Sequence, residues 1–257
     1  MKKIVTFLFA LVLIPACVQD KSDVYKTGQE NTGQDKDPEK VDPPVEEECP
    51  HPFLFYTNVD FEALNAAWQK SGRTNCFQTS SALGVLFDAI KSSDVAVSDS
   101  YLDYSASQMG FDYAQKSEQV IIYNAYLYRV TGEGKYLSRA VNAMDNVCSL
   151  PDWHPAHFLD TAEAAFAVAV GMDWLYRDLP EEKISAYCDA IYKNALSLYT
   201  DPSKQFSQRQ SNWNQVCNCC LAIAALAMEG EAPRNPSCET IWKACYDNLC
   251  EYSMAIY

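Results

Sequence analysis

Ser211-Asn212-Trp213-Asn214-Gln215-Val216-Cys217-Asn218 gathers amides, an indole and a thiol just ahead of the apolar run Leu221 to Met228. Amide side chains are poor residues inside a helix, because they compete with the backbone for hydrogen bonds. At the start of a helix an Asn has two uses. It can cap free backbone amides, or it can offer its own amide to a ligand oxygen, with the flat face of Trp213 beside it. Both uses remain open for Asn212 and Asn214. A second stretch with chemical potential is Trp153-His154-Pro155-Ala156-His157-Phe158-Leu159-Asp160. An indole can stack on the apolar face of a sugar ring, so Trp153 and His157 are candidate sugar contacts. Local packing by Trp153 and capping by His157 is the competing reading. Glu163 reads as a favourable charge near a helix N-terminus, or less simply as a ligand group. Asp173-Trp174-Leu175-Tyr176 reads as packing against the partner hairpin.

His154 and His157 with Cys217, Cys219 and Cys220 raise the question of zinc. Pro155 makes a regular helix across the His pair unfavourable. Cys219 and Cys220 are adjacent, and on a helix they point about 100° apart. No metal and no cofactor is therefore expected, and the two cysteines read as small residues where helices approach closely. The chain has 11 cysteines. Apart from Cys17, they are expected to be mostly free, buried thiols, since Cys packs as a small hydrophobe. An exported chain would permit one or two disulfides.

These residues need elements to hold them. Glu118 to Val130 and Lys135 to Val147 carry helical spacing on either side of Thr131-Gly132-Glu133-Gly134. Phe158 to Tyr176 and Glu181 to Tyr199 flank Asp178-Leu179-Pro180, with Pro180 suited to a first helical turn. Asn214 to Met228 and Ser237 to Ile256 flank a third break, and a less regular pair lies between Asp60 and Ile90. The breaks recur about every fifty residues, the mark of stacked helical hairpins. The first helix of each pair is rich in Ala and lacks a polar face (Ala162 to Val170, Cys219 to Ala227), whereas the second carries more charge. The predicted fold is all-α, an incomplete α/α toroid built from helical hairpins over residues 51–257. The competing architecture is an open α-solenoid.

The N-terminal fifty residues are of another kind. Lys2 and Lys3 precede an apolar run from Ile4 to Ile14. That run is the length of a signal-peptide core and too short to span a bilayer comfortably. Ile14-Pro15-Ala16-Cys17 resembles a bacterial lipobox. Residues 1–16 then read as a signal peptide, Cys17 as a lipidated residue, and 17–50 as a disordered tether poor in large apolar side chains. The expected location is outside the cytoplasm, as a lipoprotein anchored to the outer membrane. The net charge of −14 argues against nucleic-acid binding, which uses basic surfaces.

Taken together, Trp153 to Glu163, Val168-Ala169-Val170-Gly171-Met172-Asp173-Trp174-Leu175-Tyr176, and Asn212 to Asn218 resemble the N-terminal helical domain of heparinase II/III-type polysaccharide lyases. The resemblance covers roughly residues 55–257. It implies an incomplete α/α toroid followed by β-sandwich domains, and cleavage of uronic-acid-containing polysaccharides by β-elimination. In such a reaction an amide or imidazole donor stabilises the enolate that forms when C5 loses its proton, while a base and an acid handle the protons. The resemblance implies that Asn212 is the carboxylate-binding residue, with Asn214 as the alternative. It implies that Trp153, His157, Trp213 and Gln215 contact an acidic polysaccharide or oligosaccharide. Trp213 stands where some relatives carry a His, and Trp transfers no proton at neutral pH. The chain ends at Tyr257, before the point where the family's catalytic Tyr loop is expected, so the expectation is a fragment inactive by itself. Two other readings stand beside it: a non-catalytic, glycan-binding helical lipoprotein, and a toroid glycoside hydrolase. The latter would need two flanking carboxylates, which Asp160 and Glu163 supply poorly.

Overall fold

The computed structural model describes residues 51–199, 212–234 and 236–253. The described residues belong to one compact unit that runs from 51 to 257. The expected signal peptide, lipobox at Cys17 and tether fall outside the described residues, as does Cys49.

Helix α1 spans Asn58–Lys70, α2 Ala82–Lys91, α3 Asp94–Val97, α4 Phe111–Thr131, α5 Gly134–Ser149, α6 Phe158–Leu175, α7 Glu181–Asn194, α8 Asn212–Ala227 and α9 Cys238–Asn248. No strand occurs among the described residues. None of the described helices is long and apolar enough to cross a membrane. Helices α1, α4, α6 and α8 pack side by side as an inner row. α5 folds back on α4, α7 on α6 and α9 on α8, forming the outer layer. This is the expected all-α fold, built hairpin on hairpin.

Local chemistry sets the ends. Thr57 and Asp60 close a capping box at α1, and Ser81 and Ser237 cap α2 and α9 through the amides of Gly84 and Thr240. Gly132 ends α4 in the left-handed conformation (φ 73°) that a side chain would strain. Pro180 sits at the cap of α7, one position ahead of the first turn expected for it.

α6 is the inner helix in full. Every residue from Asp160 to Leu175 is buried, as its lack of a polar face requires. Gly171 makes this possible. A Cβ there would come within 2.5 Å of Ile121 Cγ2 on α4 and 2.8 Å of Met144 Sδ on α5.

The C-terminal end of α6 grips the start of the folded unit. Asp173 is fully buried and accepts from His51 Nδ1 at 2.6 Å, from the Leu54 amide at 2.9 Å and from the Phe53 amide at 3.2 Å. The Trp174 indole donates to the Leu54 carbonyl at 2.8 Å. Packing against neighbouring hairpins, expected for the whole Asp173–Tyr176 run, is realised through Trp174 and Tyr176. The Trp174 ring meets Phe61 of α1 edge-on at 5.6 Å and Tyr126 of α4 at 6.3 Å, and the Tyr176 hydroxyl donates to Glu231 at 2.7 Å. Asp173 serves residues 51–54 instead, because unpaired backbone amides there need an acceptor once buried.

Candidate functional site at the start of the inner helices

Three inner helices present their N-terminal ends to one another through aromatic side chains. Phe111 opens α4, His157 directly precedes α6, and Trp213 is the second residue of α8. The His157 ring meets Trp213 edge-on at 5.0 Å between centroids and Phe111 edge-on at 5.9 Å. Such T-shaped contacts set the positive edge of one ring on the negative face of another. Phe111 is 46% exposed, and Trp213 and His157 are half-buried. A surface rim of three rings results, with one imidazole at its centre.

His157 is anchored from below. Asp160, fully buried in the first turn of α6, holds its Oδ1 2.7 Å from His157 Nδ1. Its Oδ2 lies 2.7 Å from His154 Nδ1. One carboxylate therefore orients two imidazoles, whose ring centroids are 6.0 Å apart. The backbone is shaped for this. His154 takes the left-handed conformation (φ 58°, ψ 59°), which costs a non-glycine residue on the order of 1 kcal/mol. Its amide donates to Asp152 at 2.8 Å. Pro155 then opens a short 3₁₀ turn through His157, and Thr161 Oγ1 ties the loop down by donating to the Trp153 carbonyl at 2.6 Å. With Nδ1 committed to Asp160, each ring has Nε2 left for another partner. His157 occupies the cap position of α6 without a side-chain capping bond; its ring serves Asp160.

Two more carboxylates lie deeper. Glu163 on α6 is 3% exposed and Glu118 on α4 is 5% exposed. Burial, and then the charge of Asp160, pushes the Glu163 carboxyl up to about 7, while a hydrogen bond from Gln115 pulls the other way. Burial, and then the charge of Glu163, pushes Glu118 up to about 8. Glu163 Oε2 has no hydrogen-bond partner among the described residues. The expectation that Glu163 is a simple first-turn charge is corrected here. It is enclosed, and desolvation disfavours its ionised form.

The predicted residues fall into three groups. His157 and Trp213 are brought into contact. Asn212, the first residue of α8, is exposed; the capping position ahead of it, Ser211, lies outside the described residues. Gln215 is half-buried. Asn214 is fully buried, so its amide is not presented at the surface. Trp153 is also fully buried, its indole donating to the Val147 carbonyl at 2.9 Å. It packs beneath the loop, so the expectation of a sugar contact at Trp153 is corrected in favour of local packing. Its one polar atom was satisfied more cheaply by a neighbouring carbonyl than by a ligand.

The cysteines do not join the His pair. Cys217 and Cys220 are buried while Cys219 is exposed, so Cys219 does not fill a close helix approach. The Cys217 thiol reaches the Phe158 carbonyl at 3.9 Å, and burial raises its pKa above the ordinary range. Among the described residues every cysteine is a free thiol, and Cys188, Cys217, Cys220, Cys238 and Cys245 are buried.

Residues that the sequence reading missed are His154 and Asp160 as partners of His157, and Phe111. The His157, Asp160 spacing of three carried a signal, since residues three apart meet on a helical turn, whereas His154, left-handed ahead of Pro155, carried none. Phe111 carried none. A separate open groove of about 560 Å³ lies against α5, lined by Asp99, Tyr104, Arg139, Asn142, Asp145, Asn146 and Ser149. It includes none of the predicted residues. No protein-family model matches the chain, and no curated protein matches it.

Proposed function

We propose that the helical unit is the sugar-binding part of an exported polysaccharide lyase that acts on uronic-acid-containing glycans by β-elimination. The observation that carries this reading is the rim itself. His157 stands edge-on to both Trp213 and Phe111, with its Nδ1 fixed by Asp160. Aromatic faces beside an oriented imidazole are what a pyranose with a polar edge requires. The ring stacks on an apolar face, and the polar edge meets a directional nitrogen. Asn212, exposed at the start of α8, adds an uncharged amide, which can meet a uronate carboxylate at lower desolvation cost than a charged group. In β-elimination that carboxylate takes up charge as C5 loses its proton, and a donor already in place stabilises it.

Calorimetric titration with a defined oligouronate tests the reading. Trp213→Ala is expected to weaken binding at least about tenfold, and Trp213→Phe by much less, because the stacking face is kept. Binding that Trp213→Ala leaves unchanged would sink it. On any preparation that releases unsaturated, ultraviolet-absorbing ends, Asn212→Ala should lower turnover about a hundredfold, the scale of one lost oxyanion donor. A second reading, glycan capture without cleavage, draws on the burial of Asn214, which leaves Asn212 alone of the two at the surface. Oligouronate binding with no unsaturated product would favour it.

A further inference from the structure

We propose that His154, His157 and Asp160 form a binding site for one divalent transition-metal ion of the zinc class, ligated by the two Nδ1 atoms and the Asp160 carboxylate. The proposal stands independently of the glycan reading. It begins from convergence. The donor atoms of the three residues lie within 4.8 Å of one another, and each Nδ1 is already 2.7 Å from its own oxygen of the same carboxylate. Ligands about 2.0–2.1 Å from a tetrahedral ion stand roughly 3.3 Å apart. Admitting the ion therefore asks each Nδ1–oxygen pair to spread by about half an ångström and the two Nδ1 atoms, which lie within 4.8 Å of each other, to settle at the same spacing, which side-chain rotation supplies. Imidazole with carboxylate is a donor set that zinc and its neighbours accept.

Charge gives the second argument. Asp160 is fully buried, and its ion-pair partners are the two imidazoles rather than a Lys or Arg. Asp160 is thus an enclosed carboxylate with no Lys or Arg paired to it among the described residues, and buried charges are either paired or coordinated to metal. Backbone shape gives the third. His154 holds a left-handed conformation, and such strain persists where the surroundings fix it for a purpose.

Proton balance is straightforward. A neutral imidazole that donates from Nδ1 to Asp160 must free that lone pair. Its Nδ1 proton passes to solvent, and Nε2 takes one up in return, so no net proton is released. A protonated ring releases one proton on coordination. The side chains of His154 and His157 are 45% and 38% exposed, so solvent can carry this exchange. The bound ion would then keep a position open toward the aromatic rim, as non-structural sites with three protein ligands do.

Cobalt(II) alone is the probe. The full chain, stripped with a chelator and dialysed, is titrated with Co²⁺ while visible absorption and heat are recorded without any glycan. One ion per chain with a visible d–d band is expected, reversed by Zn²⁺. His154→Ala and His157→Ala should each weaken Co²⁺ at least about tenfold, with circular dichroism unchanged; both are partly exposed, so folding should survive. Asp160→Asn should abolish the band, and Trp213→Phe should leave it in place. Absence of saturable Co²⁺ binding overturns the proposal. So does a band that survives both His substitutions, or strong thiolate-to-cobalt absorption in the near ultraviolet, which would assign the ion to cysteine. Failure of oligouronate binding with the Co²⁺ result intact would fault the glycan reading and leave the metal site standing.

Discussion

Glu118 and Glu163 show what position does to a single carboxyl group. Both are enclosed by inner helices, and the charge of Glu163 adds to the cost of ionising Glu118. Glu118, pushed up to about 8, binds its proton more tightly in the folded chain than in the unfolded one. Its stabilising contribution is therefore complete below its ordinary value of 4.5 and is lost as pH rises through about 8. Denaturant unfolding should show stability falling between about pH 5 and pH 9. Glu118→Gln, which holds the neutral form at every pH, should flatten that slope and stabilise the chain at the alkaline end by roughly 2 kcal/mol or more. An unchanged slope in the variant would show that Glu118 is solvated. Sequence could not have placed this pair. Glu163 sits in the first turns of a helix, where a charge is ordinarily welcome, and only the burial of the whole helix reverses that expectation. Trp153 teaches the same lesson in the opposite direction. An indole directly ahead of two His residues has the composition of a ligand contact, yet its environment makes it core.

Elements were more legible than residues. The apolar, alanine-rich runs marked the inner helices, because a helix with no polar face has to be covered on all sides. The breaks at Gly132 and Pro180 marked turns for reasons of backbone geometry. Ends were read less well. α4 begins at Phe111, seven positions before the expected Glu118, because its opening turns carry polar residues that hide the period. α7 stops at Asn194, where Ala195 leaves helical geometry (φ −132°, ψ −64°) without a Gly or Pro to announce it. The fastening of α6 to residues 51–54 was also invisible, since its partners are about 120 residues apart. That clamp makes a prediction at this scale. Asp173→Ala strips the acceptor from His51 and two backbone amides inside the protein. It should cost about 3 kcal/mol or more in thermal or denaturant unfolding. A loss under about 1 kcal/mol would mean that water replaces the carboxylate.

At the scale of the molecule, the hairpin repeat brought together residues the sequence had scattered. Phe111, His157 and Trp213 span about a hundred positions and meet because α4, α6 and α8 are neighbours in one row. The all-α architecture could be foreseen from the fifty-residue spacing. The contacts across the rim could not, because periodicity fixes which helices are adjacent and says nothing of how far each is slid along its axis. The contact at Gly171 bears on that sliding: with Ile121 and Met144 filling the space a side chain would need, α6 has little freedom to shift against α4 and α5.

The enclosure of α6 also sets a clock. A helix buried along its whole length from Asp160 to Leu175 can trade its amide hydrogens with solvent only when its covering layers separate, which is close to unfolding the unit outright. Deuterium should therefore enter the middle of α6 last and at the rate of global opening, while the partly exposed α9 fills early. Rapid labelling of α6 in the intact chain would mean that the hairpins part independently.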